Sequence, residues 1–260
     1  MALAVENGRR QFDYWLTVYK RTWKGTLISS FLLPLLYLAA MGIGLGSFVD
    51  SNGTGALGGM TYLQYIAPGL LAATALQVAV GESTYPVMSG LKWQKFYYSM
   101  IATPLRPADV VYGQLGFIAF RVGSTCAVFL VVIAAFGSLQ SPLGVLALPV
   151  ALLVGMAVAG PVAAYATTLE NDSGFAMIFR FGVVPAFLFS GAFFPVSQLP
   201  NWIEWLAYVS PLWHGVHLSR ALAEGSVNPW LALVNVAYLL AWFIIGTWLA
   251  VRGFTKRLIG

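Results

Sequence analysis

Uninterrupted apolar runs such as LLPLLYLAAMGIGL and CAVFLVVIAAF dominate the chain, and they constrain its fold more than any other feature. A hydrocarbon layer about 30 Å thick takes roughly 20 helical residues to cross, and these runs supply that length. They do not alternate apolar with polar residues as a transmembrane barrel strand would, so helices are the expected spanning element. Charged residues make up 9% of the 260 and hydrophobic ones 59%, a balance that a water-soluble domain cannot solvate. The expected class is an all-α integral membrane protein.

Charged or turn-rich breaks divide the apolar sequence into six spans near residues 26–48, 62–88, 110–136, 143–169, 175–196 and 230–251. With the N-terminus in the cytoplasm, every basic residue falls on the inner side except Arg121, within a span, and Arg220, outside. The positive-inside rule therefore puts both termini in the cytoplasm, and topology rather than nucleic acid accounts for the net charge of +5. The first 25 residues hold no short apolar core followed by a cleavage site, so the first span is expected to be retained as its own insertion signal. Cys126 lies in an apolar run and has no second cysteine to pair with. There is no internal repeat, and the chain reads as one domain over residues 1–260.

Two segments on the expected inner side are amphipathic. Over 91–106, Trp93, Phe96, Tyr97, Met100 and Ile101 recur at helical spacing while Lys92 and Lys95 face elsewhere, and Pro104 and Pro107 end the stretch. Over 9–24, Phe12, Trp15, Leu16, Tyr19 and Trp23 mark one face, with Arg9, Arg10, Lys20 and Arg21 mostly off it. Such helices lie at a membrane interface with their rings among the headgroups. They serve either as anchors or as a grip through which a cytoplasmic partner moves the spans.

What the sequence lacks favours the grip. No glycine is followed by lysine, so there is no GxxxxGK[ST] phosphate loop, and no HExxH or paired CxxC occurs. Ion-driven carriers carry intramembrane acids and broken helices, whereas here only Glu82 and Arg121 lie well inside apolar runs. At about 1.5 Å per residue they sit roughly 12 and 18 Å from the inner ends of their spans, and they are expected to pair. Ala147, Ala151, Gly155, Ala159 and Ala163 form a small-residue stripe that lets another helix, expected from the same chain, approach closely. Between the fifth and sixth spans, Pro195, Pro200, Pro211 and Pro229 cut residues 197–226 into two short helices, read as an outer hairpin that dips into the membrane and returns. Its aromatic and imidazole residues, Trp202, Trp205, Trp213, His214 and His217, are those of an outer gate or lid. The two histidines, three apart, suit a structural role better than a metal site.

Three stretches, YKRTWKGTLISSFLLPLLYLAAMGIGLG, YIAPGLLAATALQVAVGESTYPVMSGLKWQKFYYSMIATPLRPADVVYGQL and FSGAFFPVSQLPNWIEWLAYVSPLWHGVHLSRAL, resemble the permease subunits of ABC-2 type exporters. The likeness is greatest to the branch of nodulation-factor (lipo-chitooligosaccharide) and daunorubicin-resistance permeases. The resemblance implies six spans, two copies of this or a related permease, and two separate cytoplasmic ATPase subunits that bind ATP and Mg, with no cofactor in this chain. It also implies a bacterial cytoplasmic membrane location. By that resemblance 91–106 is the coupling helix, with Lys92, Trp93, Lys95, Phe96, Tyr97, Met100 and Arg106 meeting the ATPase. Trp15, Tyr19, Arg21 and Trp23 belong to the interfacial helix, and the hairpin closes the outer exit. An ion-coupled carrier and a non-catalytic membrane scaffold are the competing classes.

Overall fold

The structure, a computed structural model, describes residues 12, 13, 15–17, 19–21, 32, 35–51, 57 and 59–260. These residues are helix, turn and loop, with no strand among them. In order they form α1 (Leu35–Ser51), α2 (Tyr62–Trp93), the short α3 (Phe96–Ile101), α4 (Pro107–Ala135), α5 (Pro142–Thr168), α6 (Ser173–Phe189), the pair α7 (Asn201–Val209) and α8 (Pro211–Glu224), and α9 (Pro229–Ile259). Of these, α2, α4, α5 and α9 are long and apolar enough to cross a membrane, while α1 and α6 are shorter apolar helices.

Helix starts follow from local chemistry. Proline opens α4, α5, α8 and α9, where its missing N–H costs nothing. Side-chain oxygens of Thr61, Ser141, Ser210 and Asn228 accept from the first free amides of α2, α5, α8 and α9. Interior breaks are equally local: α2 is interrupted at Thr84, just before Pro86, which has no amide to continue the ladder.

Packing centres on α5, against which α9, α2 and α4 all lie. The small-residue stripe faces the neighbours within the chain. A Cβ on Gly155 would fall 3.0 Å from Val122 of α4 and 3.2 Å from the Ala75 carbonyl of α2. The closest crossing is between α5 and α9, where a Cβ on Gly160 would sit 2.5 Å from the backbone of Gly246 and one on Gly246 2.2 Å from Pro161. With lipid as apolar as any side chain, this backbone contact is what draws two spans together.

Three sequence expectations change. The helix expected continuously over 91–106 is broken: Lys95 takes a left-handed φ of 55°, α3 is a separate six-residue helix, and residues 102–104 turn. The cause is tertiary, because the Tyr97 and Phe96 rings fold back onto Gly90, where a Cβ would lie 2.3 Å from Tyr97. The fifth apolar helix stops at Phe189 rather than 196, since Gly191 turns the chain with φ 79°. The last helix instead continues to Ile259, well past residue 251.

Candidate functional site

Two polar clusters stand at opposite ends of α2, about 40 Å apart at 1.5 Å per residue. At the C-terminal end, Lys92 and Arg257 both pair with Glu170, which lies just past α5; Arg257 Nη1 donates at 2.8 Å. One carboxylate thus ties the ends of α2 and α9 to the end of α5. Arg257 first and Lys92 second hold the Glu170 carboxyl down at about 2. The Glu170 side chain is 69% exposed, so water screens these pairs and they act as links more than as sources of stability.

The short α3 is wedged beside this link. Tyr97 is fully buried; its hydroxyl donates to Gln114 Oε1 of α4 at 3.1 Å and its ring meets Phe254 of α9 edge-on at 5.4 Å. The Tyr98 hydroxyl donates to the Arg257 carbonyl at 3.2 Å. Phe96, half-buried, meets Trp15 of the N-terminal helical segment at 5.4 Å, and Met100 packs on the same core. The wedge therefore touches α2, α4, α9 and the N-terminal segment. Lys95 and Trp93 remain exposed, Trp93 stacking on Tyr85. Arg106, also exposed, starts α4 with its amide donating to Asp109 at 3.0 Å.

Farther along α4, Arg121 Nε donates to Glu82 Oε1 of α2 at 3.0 Å, and Arg121 Nη1 donates to the Tyr19 hydroxyl at 3.1 Å. Trp15 stacks on Phe117 at 5.3 Å, so the N-terminal segment runs along α4 and helps cover this pair. Arg21 is exposed, and Trp23 lies outside the described residues.

At the other end of α2, residues 197–226 hold two short helices, α7 and α8, joined at Ser210 and Pro211. Asn235 of α9 bridges the two imidazoles, 2.8 Å from His214 Nδ1 and 3.1 Å from His217 Nδ1, and the Tyr208 carbonyl lies 3.1 Å from His214 Nε2. Trp213 stacks on His217 and Tyr238 on His214, which fixes both rings. Trp202 and Trp205 point outward instead, each 72% exposed.

Arg220 organises this end, and sequence reading passed over it. Its Nε donates to the Tyr65 carbonyl at 3.2 Å, its Nη2 to the Gly191 carbonyl at 2.8 Å, and its guanidinium lies 3.7 Å from the Tyr65 ring centroid. It thereby staples α8 to the start of α2 and to the turn after α6. Its signal was that the positive-inside reading left it as the one basic residue expected on the outer side. Glu170, Gln114 and Asn235 gave no comparable signal, because their partners are distant in sequence.

The profile of the "ABC-2 type transporter" family matches residues 11–223. The chain is 33% identical over 219 residues to Nodulation protein J of Rhizobium leguminosarum bv. trifolii, covering 81% of each protein. It is 29% identical over 244 residues to Nodulation protein J of Rhizobium leguminosarum bv. viciae, covering 90% of this chain and 92% of the relative. With Nodulation protein J of Bradyrhizobium diazoefficiens it shares 25% over 254 residues, 94% of each.

Proposed function

The chain belongs to the ABC-2 type transporter family, and from that premise we propose that it is the permease subunit of an exporter driven by a separate ATPase. In this reading the end of α2 that carries Lys92 and α3 is cytoplasmic and the hairpin is outside, which gives six crossings with α1 and α6 as the two shorter ones. The cargo is an amphipathic or lipid-linked molecule such as a drug, a glycolipid or a lipo-oligosaccharide. That cargo class rests on the sequence's resemblance to the nodulation-factor and drug-export branch, and the relatives' name, Nodulation protein J, ties them to nodulation.

The observation that carries the reading is the wedge made by α3. A partner that pushes on the exposed Lys95 and Trp93 displaces Tyr97, and Tyr97 touches α2, α4 and α9 together. Buried contacts shift between discrete arrangements rather than deforming gradually, so a small push at this end can move whole spans. Tyr97 acts as a positioning residue in this scheme, and Lys92, Trp93, Lys95, Phe96, Met100 and Arg106 form the docking surface. Two ATPase subunits and a second permease copy complete the transporter, with ATP and Mg held by the ATPases. Phe181, Val184 and Leu188 of α6, exposed within the single chain, offer an apolar face for that second copy.

The test is co-purification from the native membrane. An ATPase with a phosphate-binding loop should accompany the tagged chain, and Lys92→Glu with Lys95→Glu should release it while the chain still inserts. Retention of the ATPase by the doubly reversed protein, with undiminished ATP-driven export, would refute the docking role.

A further inference from the structure

Two cavities, one almost wholly apolar and one of mixed lining, meet at Ser190, where α6 ends. The larger, about 480 Å³, lies between α2, α5, α6, α9 and the hairpin tip, with Leu76, Val162, Phe189 and Trp242 in its wall. Ser190 and Ser210 are its only lining residues with hydroxyl groups, and both are engaged within the chain: the Ser190 hydroxyl donates to the Phe187 carbonyl, and Ser210 accepts from the Leu212 amide. The Ser210 O–H and the Trp242 indole N–H are the side-chain donors that such a wall leaves to a ligand, and the rest of it is apolar. A wall this apolar suits a hydrocarbon chain, and the cavity's size falls within the roughly 300–1,000 Å³ typical of ligand sites.

The smaller cavity, about 220 Å³, is lined by Ser190, Tyr208, Trp213, His217 and Arg220. Neighbouring residues of α7 face the two spaces, Ala207 the apolar one and Tyr208 the polar one. Arg220 forms no ion pair among the described residues. Glu224, one turn along α8, accepts from Ser226 and acts on the Arg220 charge from a distance, without a salt bridge. Two carbonyl bonds leave the guanidinium with N–H donors to share. A second polar cavity, about 170 Å³, opens on the other side of the same arginine. A cation with N–H donors to share, in a small cavity beside a larger and mostly apolar chamber, matches the two halves of an anionic amphiphile.

We propose that these cavities form one binding site within a single protomer, the apolar chamber taking an acyl chain and the polar one an anionic head group on Arg220. A bilayer phospholipid and a single-chain cargo share that chemistry. Use of the site by cargo rests on the export reading; the site itself does not.

Trp242 supplies the reporter. The full chain is placed in phosphatidylcholine nanodiscs and titrated with lysophosphatidate brominated along its chain, which quenches tryptophans it touches. Quenching of the exposed tryptophans is subtracted with Trp242→Phe. The expected result is saturable Trp242-dependent quenching, about tenfold tighter than with brominated lysophosphatidylcholine, the margin of a charge-assisted hydrogen bond. Arg220→Gln should remove that margin, and the head-group comparison in the unmodified protein stands even if this variant does not fold. Brominated two-chain phosphatidate is the remaining probe: tighter binding of the one-chain form assigns the site to cargo, tighter binding of the two-chain form to a membrane lipid. Equal affinity for both lysolipids, no Trp242-dependent signal, or full displacement by inorganic phosphate would overturn the proposal. No ATPase is needed, so loss of ATP-driven export with intact binding sinks the export reading alone, and the reverse sinks the site alone.

Discussion

Single side chains join parts of the sequence that lie far apart, and their effects are correspondingly local. Arg121 is almost buried and Glu82 half-buried, so removing either partner leaves the other charge uncompensated. Arg121→Gln or Glu82→Gln should each destabilise the protein by about 3 kcal/mol, and the double variant by less than the sum, read from thermal unfolding in detergent. Additive losses would mean that the two do not interact. Glu170 makes a different prediction. Its carboxyl is held at about 2 instead of 4.5, so its contribution is fully present above pH 4.5 and lost as pH falls toward 2. Because water screens these exposed pairs, the acid limb they give the unfolding temperature below about pH 4.5 should be small, and Glu170→Gln should remove it. The two imidazoles add a constraint of their own, because Asn235 serves both only by turning its oxygen to one and its nitrogen to the other.

Whole elements depend on close backbone approaches more than on any polar bond. Gly246→Leu should force α9 off α5 and cost several kcal/mol, more than the roughly 1–3 kcal/mol of ordinary overpacking, because the obstacle is backbone and proline ring. Gly90→Val should expel the Tyr97 ring, free α3 from α4 and α9, and reduce ATP-driven export while the long helices remain inserted; protease accessibility and transport assays read the two effects separately. The long helices were legible in sequence because an apolar run is a local signal, and so were the starts of α8 and α9 at proline; α4 instead begins at Pro107, which read as the end of the stretch before it. The break at Lys95 was not: at helical spacing 91–106 reads as one amphipathic stripe, and only the Gly90 contact shows where it folds. The stop at Phe189 was hidden for a related reason, since residues 190–196 are as apolar as the helix before them. Arg220 was visible as an isolated charge, but its staple joins residues 29 and 155 positions away.

For the whole molecule, the α2 helix connects the two ends, with the α3 wedge at one and the Arg220 staple at the other. In the proposed reading, a push that shifts the first shifts the helix to which the second is fastened, and the power for that push comes from a partner. The direct test is accumulation of a fluorescent amphiphile in proteoliposomes that hold the chain with or without its co-purifying ATPase, with the cytoplasmic face outward. Uphill accumulation only when the ATPase and ATP are both present is the predicted result. Accumulation by the chain alone, driven by a proton gradient, would contradict the account.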